Sequence, residues 1–208
     1  MNVERLFPLP MEKHVLRHFP VYGDYRKYKP WLRDEYEFRC VFCKFREKWY
    51  QDGAAAFHID HLTPKSVAPA RAADYANLAY CCPRCNRVKS TRTLPGPCEE
   101  AYGRHYEFDD DGKAIALTRL GTDIIDITGM NRENAIQYRK QMLDTMVILV
   151  KQAARPDAKA MELLKRWLGY PDDLPDLREQ RVERNSRPEG AATCFYVKRH
   201  NGELAEIY

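Results

Sequence analysis

The sequence predicts an α+β protein: a small core of one β-hairpin and one helix stapled by a metal ion, then a C-terminal helical extension and a terminal β-hairpin. Three observations point there. Two CxxC pairs, Cys40/Cys43 and Cys82/Cys85, have the residue type and pair spacing of a tetrahedral thiolate site. Between them, residues 57–62 and 79–81 read as short strands, and Cys82-Pro83 opens a helix because proline is tolerated in its first turn. Beyond residue 117, apolar residues return at helical spacing.

Composition bounds what these elements can build. The chain has 208 residues, 44% hydrophobic and 31% charged, which suits one folded domain with an appended tail and excludes wholesale disorder. No apolar run approaches the ~20 residues of a membrane span. The first ten residues carry Glu4 and Arg5 and lack the apolar stretch of a signal peptide, so a cytoplasmic location without membrane attachment is expected. Seven cysteines in such a chain read as metal ligands rather than a disulfide framework. Cys81 is expected in the core on the returning strand, and Cys98 in a loop. The formal net charge of +4 permits a polyanionic partner without demanding one. Four thiolates around Zn²⁺ would leave about −2 locally, so affinity for nucleic acid must come from clustered Lys and Arg.

Four segments follow from these signals. Residues 1–36 form a basic and aromatic N-terminal segment, punctuated by Pro20 and Pro30. Its tyrosines and lysines at 22–31 read either as a stacking surface for nucleic acid or as core aromatics with snorkelling lysines. His14 and His18 are expected on a solvated helix face. Residues 37–93 hold the metal-stapled core. Residues 94–170 begin with a loop at Pro95, Gly96, Pro97 and Gly103, then a hairpin at 108–115 around Asp111-Gly112. A short helix should follow, capped by Thr118 and ended by Gly129, then a longer one capped by Asn131 and a third over 157–168. Residues 171–208 read as a polar linker over 178–190 and a hairpin of strands 193–200 and 203–208 around Asn201-Gly202.

The chemistry concentrates in the 38 residues between the CxxC pairs, 44 through 81, and just beyond them. That insert is large enough for a hairpin. Asp60 and His61 fall at the end of its first strand, and Asn86 falls in the first turn of the following helix, one residue after Cys85. A zinc ion on Cys40, Cys43, Cys82 and Cys85 would then fix the helix that presents Asn86 toward Asp60. One carboxylate and one amide oxygen suit a hard cation that keeps water and takes phosphate oxygens, Mg²⁺ or Mn²⁺. His61 is neutral enough near pH 7 to accept a proton from water. Together these groups describe a phosphodiesterase. His58 shares the strand face of Asp60, so it is either an additional ligand or partner at the metal, or edge packing. Arg84, Arg87, Lys89 and Arg92 run along the helix; beside such a site they read as phosphate contacts.

The string Cys40-x-x-Cys43 … Asp60-His61-x-x-Pro64 … Asn77-Leu78 … Cys82-x-x-Cys85-Asn86-x-x-Lys89 resembles the zinc-containing HNH, or ββα-metal, endonuclease motif. The resemblance implies an HNH endonuclease acting on nucleic acid, with DNA as the expected polymer. It implies that Asp60 and Asn86 hold the catalytic metal, that His61 activates water, that Asn77 holds the loop between the strands, and that Lys89 lies near phosphate. The flanks at 25–47 and 105–142 resemble those of free-standing bacterial HNH proteins. Some of these sit in anti-phage defence operons, so a protein partner in a multi-subunit system is a further expectation. A partner-dependent effector subunit and a zinc nucleic-acid-binding module without catalysis are the alternatives. One departure concerns the glycine pair often found after Asp-His-x-x-Pro, here Ser66-Val67-Ala68-Pro69.

Overall fold

A computed structural model describes residues 6–154 and 158–208. Strand β1 (Pro20–Val21) precedes helix α1 (Lys29–Glu35), which starts with Pro30 at a position where its missing N–H costs nothing. After one helical turn at Gly53–Ala56 comes β2 (His58–His61), then β3 (Leu78–Cys81) and α2 (Pro83–Lys89). Strands β4 (Tyr106–Phe108) and β5 (Ala114–Ala116) form a second hairpin. Helices α3 (Arg119–Thr128), α4 (Glu133–Ala153) and α5 (Ala158–Leu168) make the extension. The end of the chain carries β6 (Arg184–Asn185), α6 (Pro188–Ala192) and α7 (Phe195–His200).

Local sequence explains much of this. Strands β2 and β3 pair antiparallel, with Asp60 opposite Ala79 and His61 opposite Leu78. The β4–β5 turn uses Gly112 at φ 78°, a left-handed conformation that glycine adopts at little cost. Thr118 caps α3 through its hydroxyl, and Gly129 ends it, as the sequence predicts. Helix α4 begins otherwise. Arg132 occupies its cap position, while the Asn131 amide is spent on both backbone groups of Ala114, at 2.8 and 2.7 Å. The third helix matches the expected span from residue 158 onward; Asp157 lies outside the described residues.

The terminal hairpin is not formed. Residues 195–200 are helical, and Asn201-Gly202 terminates that helix. Glu203 N–H bonds the Lys198 carbonyl at 2.9 Å and Gly202 N–H bonds that of Arg199 at 3.1 Å, with Gly202 at φ 71°. This is a helix-stop motif that needs the same left-handed glycine as a tight hairpin turn, so Asn-Gly alone does not distinguish the two. The expected linker over 178–190 is also structured. β6 pairs with β1, and Gly190 and Ala191 are buried.

His14 and His18 are not on a solvated helix. His18 is fully buried with Nε2 2.8 Å from Asp34, and His14 Nε2 lies 2.6 Å from Glu35. Asp34 also accepts the Phe195 amide at 2.7 Å, so α1 joins the N-terminal segment to the C-terminal helices. Burial pushes the Glu35 carboxyl up, but the His14 ring and the Arg17 amide outweigh it and hold it below its ordinary value. The extension docks on the core through hydrogen bonds from Trp49 to the Trp167 carbonyl (3.0 Å), from Arg46 to that of Leu168 (3.0 Å) and from Tyr106 to that of Phe42 (2.7 Å).

A carboxylate stabilised in the folded state loses that stabilisation on acidification. Denaturant titrations should show stability falling once pH drops below about 4.3, the ordinary unfolded glutamate value. Glu35→Gln should flatten that limb and cost on the order of 2 kcal/mol at pH 7.

Candidate metal centre and active site

The first CxxC pair sits in a tight knuckle. Cys40 N–H bonds the Phe45 carbonyl at 2.8 Å, Lys44 N–H bonds the Cys40 carbonyl at 3.0 Å, and Lys44 takes a left-handed φ of 57° to close the turn. The second pair straddles the start of α2. Cys82 is the cap residue, and its sulfur accepts the Cys85 amide at 3.5 Å. The fold brings all four sulfurs within 4.8 Å of one another, with Cys43 and Cys82 at 3.6 Å. Zinc–sulfur bonds of ~2.3 Å in a tetrahedron place sulfurs ~3.8 Å apart, so the cluster fits zinc closely. Burial pushes the Cys40 and Cys82 thiols up and their neighbours push up Cys85, whereas hydrogen bonds from the other three hold Cys43 down against burial. Metal binding must release the protons these thiols keep. Cys81 is buried on β3 with its thiol pushed up to about 12 by burial, and Cys98 is a half-buried loop thiol.

Two arginines lie by this cluster with N–H groups that have no hydrogen-bond partner among the described residues: Arg84 at Nε and Nη2, and Arg139 at Nη1. Both guanidinium groups face the Phe45 ring, at 5.5 and 6.0 Å. Burial pushes Arg84 down, but the Cys43, Cys85 and Cys82 thiolates outweigh it and hold it up. A zinc tetrathiolate of about −2 beside two guanidinium charges would be close to neutral, which is how a buried charged centre would avoid a large desolvation cost.

The other polar cluster lies at the end of β2. His61 Nε2 is 2.9 Å from the Ala72 carbonyl. A carbonyl only accepts, so Nε2 carries the hydrogen and Nδ1 is the basic nitrogen. Burial lowers the His61 pKa, with Lys65 and Lys89 adding to the effect, which favours the neutral ring. Asn77, fully buried, accepts the Thr63 amide at 2.9 Å and donates to the Thr63 and Arg71 carbonyls at 3.0 and 3.1 Å. It thereby ties down the loop that carries Ala72 and acts at a distance from the polar cluster.

Asp60 is buried, and Lys89 holds it. Lys89 Nζ lies 3.3 Å from Oδ1 as a hydrogen bond and 3.1 Å from Oδ2 as an ion-pair contact without hydrogen-bond geometry, and it donates to the His61 carbonyl at 2.7 Å. Asp60 Oδ2 therefore has no hydrogen-bond donor among the described residues, which leaves the lone pairs a cation ligand requires. Burial raises the Asp60 pKa to about 6 against the opposing Lys89 charge. Asn86 is half-buried one turn before Lys89 on α2, and no hydrogen bond among the described residues joins its side chain to Asp60.

The basic residues of α2 divide. Lys89 is fully buried on Asp60 rather than presented to phosphate, because α2 packs that face against β2. Arg84 is turned toward the thiolates. Arg92 donates to the carbonyls of Lys89, Val88 and Ile127 at the ends of α2 and α3. Arg87 alone of the four is exposed without a hydrogen bond or ion pair among the described residues. His58 is exposed at the far end of β2, opposite Cys81. The sequence reading missed Tyr25, whose ring packs edge-on against His61 at 4.8 Å, and Lys65, whose ammonium lies 3.2 Å from the Tyr25 hydroxyl. A local periodicity cannot reveal a pairing 40 residues apart.

A β-hairpin and a helix, pinned through four cysteines so that an Asp-His strand end faces an Asn-bearing helix, define a ββα-metal module. Residues 40–92 match the HNH endonuclease family model, and the chain carries an HNH domain of the four-cysteine type there. No curated protein matches the chain. The family match supports a nuclease, whose substrate is nucleic acid. No helix among the described residues is long and apolar enough to cross a membrane.

Metal analysis should find one zinc per chain. Cys85→Ala should abolish its binding and lower the Tm by ~10 °C or more, because the free energy of metal binding is coupled to folding. An unchanged Tm in the zinc-free variant would remove the cluster from the stability of the fold.

Proposed function

We propose that this protein is a metal-dependent HNH endonuclease that hydrolyses phosphodiester bonds in DNA, with Asp60 and Asn86 holding Mg²⁺ or Mn²⁺. The observation that supports this most is the His61 ring contact: with Nε2 on the Ala72 carbonyl, Nδ1 is the basic nitrogen, at the same strand end where Asp60 keeps an oxygen without a hydrogen bond among the described residues. The donor set fits a hard cation, since both ligands offer oxygen and neither is soft. When bound, such a cation stabilises charge developing on the phosphate and on the leaving 3′ oxygen.

The protein's own residues do the rest. His61 Nδ1 takes a proton from the attacking water, whose oxygen bonds to phosphorus as the bond to the 3′ oxygen breaks; that oxygen then gains a proton from solvent. Ala72 fixes the ring through Nε2, and Asn77 fixes Ala72 through its loop. Lys89 keeps Asp60 oriented and favours its ionised form. Lys89 already offsets the carboxylate's charge, so Asp60 and Asn86 alone would hold a cation weakly. Arg87, exposed and without a hydrogen bond or ion pair among the described residues, would be the residue of α2 free to meet phosphate.

A supercoiled plasmid incubated with Mg²⁺ or Mn²⁺ should be cleaved by the parent. His61→Ala should cut it ~10²–10⁴-fold more slowly, the usual contribution of a general base. Equal rates for the two proteins would remove His61 from the mechanism, and cleavage of a parallel RNA substrate alone would replace DNA as the polymer.

A further inference from the structure

Beside the His61 ring stands a cation that the family motif does not include. Lys65 lies in the loop after β2, exposed, with its ammonium 3.2 Å from the Tyr25 hydroxyl and 4.5 Å from the centre of the Tyr25 ring. That ring packs edge-on against His61 at 4.8 Å. The neighbouring arginines are neutralised: Arg26 pairs with Asp24 at 2.9 Å and Arg71 with Asp74 at 3.1 Å. Among the described residues no carboxylate pairs with Lys65. An ammonium held over an aromatic face and a phenol oxygen keeps its full charge while losing part of its rotational freedom, so less entropy remains to be lost on binding an anion.

We propose that Lys65, oriented by Tyr25, is a phosphate-binding residue that engages the nucleic-acid backbone next to the phosphodiester attacked by the water that His61 activates. Tyr25 is a positioning residue with two contacts: its hydroxyl holds Lys65 and its ring braces His61. The N-terminal segment, outside the matched HNH region, thus completes the active face. The inference rests on the nuclease reading above.

The experiment is a salt titration of binding to a short DNA duplex, in buffer without added Mg²⁺ or Mn²⁺, beside steady-state cleavage. Removing one phosphate contact lowers the slope of log affinity against log salt by about 0.9, so Lys65→Gln should lose about threefold less affinity than the parent between 50 and 200 mM salt. Its KM should rise with kcat little changed, and Lys65→Arg should restore both slope and KM. Tyr25→Phe, which keeps the ring on His61, should raise KM alone, whereas Tyr25→Ala should also lower kcat. A parent that cleaves DNA while Lys65→Gln matches it in slope and KM would overturn this proposal and leave the nuclease reading intact. A parent that neither binds nor cleaves nucleic acid would overturn both. Thermal melts matching the parent would establish that the Lys65 variants are folded.

Discussion

Cys82 has two roles within one turn of chain: its sulfur belongs to the four-thiol cluster, and its backbone begins α2. Whatever holds that sulfur against Cys40 and Cys43 therefore also sets where α2 starts and which way it faces. α2 is only seven residues long, too short to be stable alone, so its direction must come from outside it. Once its start is pinned, Lys89 falls on the face turned toward β2, and Asp60 finds its ammonium partner. The thiolate centre has no direct part in the proposed chemistry, yet the placement of Lys89 against Asp60 depends on it.

The centre is itself maintained by the rest of the protein. Arg139 comes from α4, well outside the matched HNH segment, and reaches Phe45 in the knuckle while bonding the carbonyls of Gly112 and Met130. Tyr138, its neighbour in sequence, donates to the Trp49 carbonyl at 3.1 Å. The helical extension thus closes over the metal side of the core and supplies charge to it, while the N-terminal segment closes over the His61 side through Tyr25. Two additions to a minimal ββα module serve its two polar centres separately.

The legibility of the sequence follows the range of the interactions. Strands β2 and β3, the start of α2, the Asp111-Gly112 turn, the Thr118 cap and the Gly129 stop are local signals, and these were readable. The four zinc-type ligands were readable because CxxC spacing is itself a geometric statement. Asn77 was singled out only through the family resemblance, since nothing local marks its three hydrogen bonds to the loop. What could not be read were partnerships across distance: His18 with Asp34, Lys89 with Asp60, Tyr25 with His61. His14 and His18 look like solvated helix residues until α1 supplies carboxylates to each. Lys89 looks like a phosphate contact until the packing of α2 buries it. Asn201-Gly202 failed for another reason, because a helix stop and a hairpin turn ask the same left-handed backbone of glycine.

The dependence of the fold on a closed thiolate centre is tested most directly by zinc-edge X-ray absorption on the purified protein. Four sulfur neighbours at ~2.3 Å are expected, with no nitrogen or oxygen in the first coordination sphere. A sphere containing imidazole or water, or protein that is folded and metal-free with Cys40, Cys43, Cys82 and Cys85 still reduced, would contradict the account at its base.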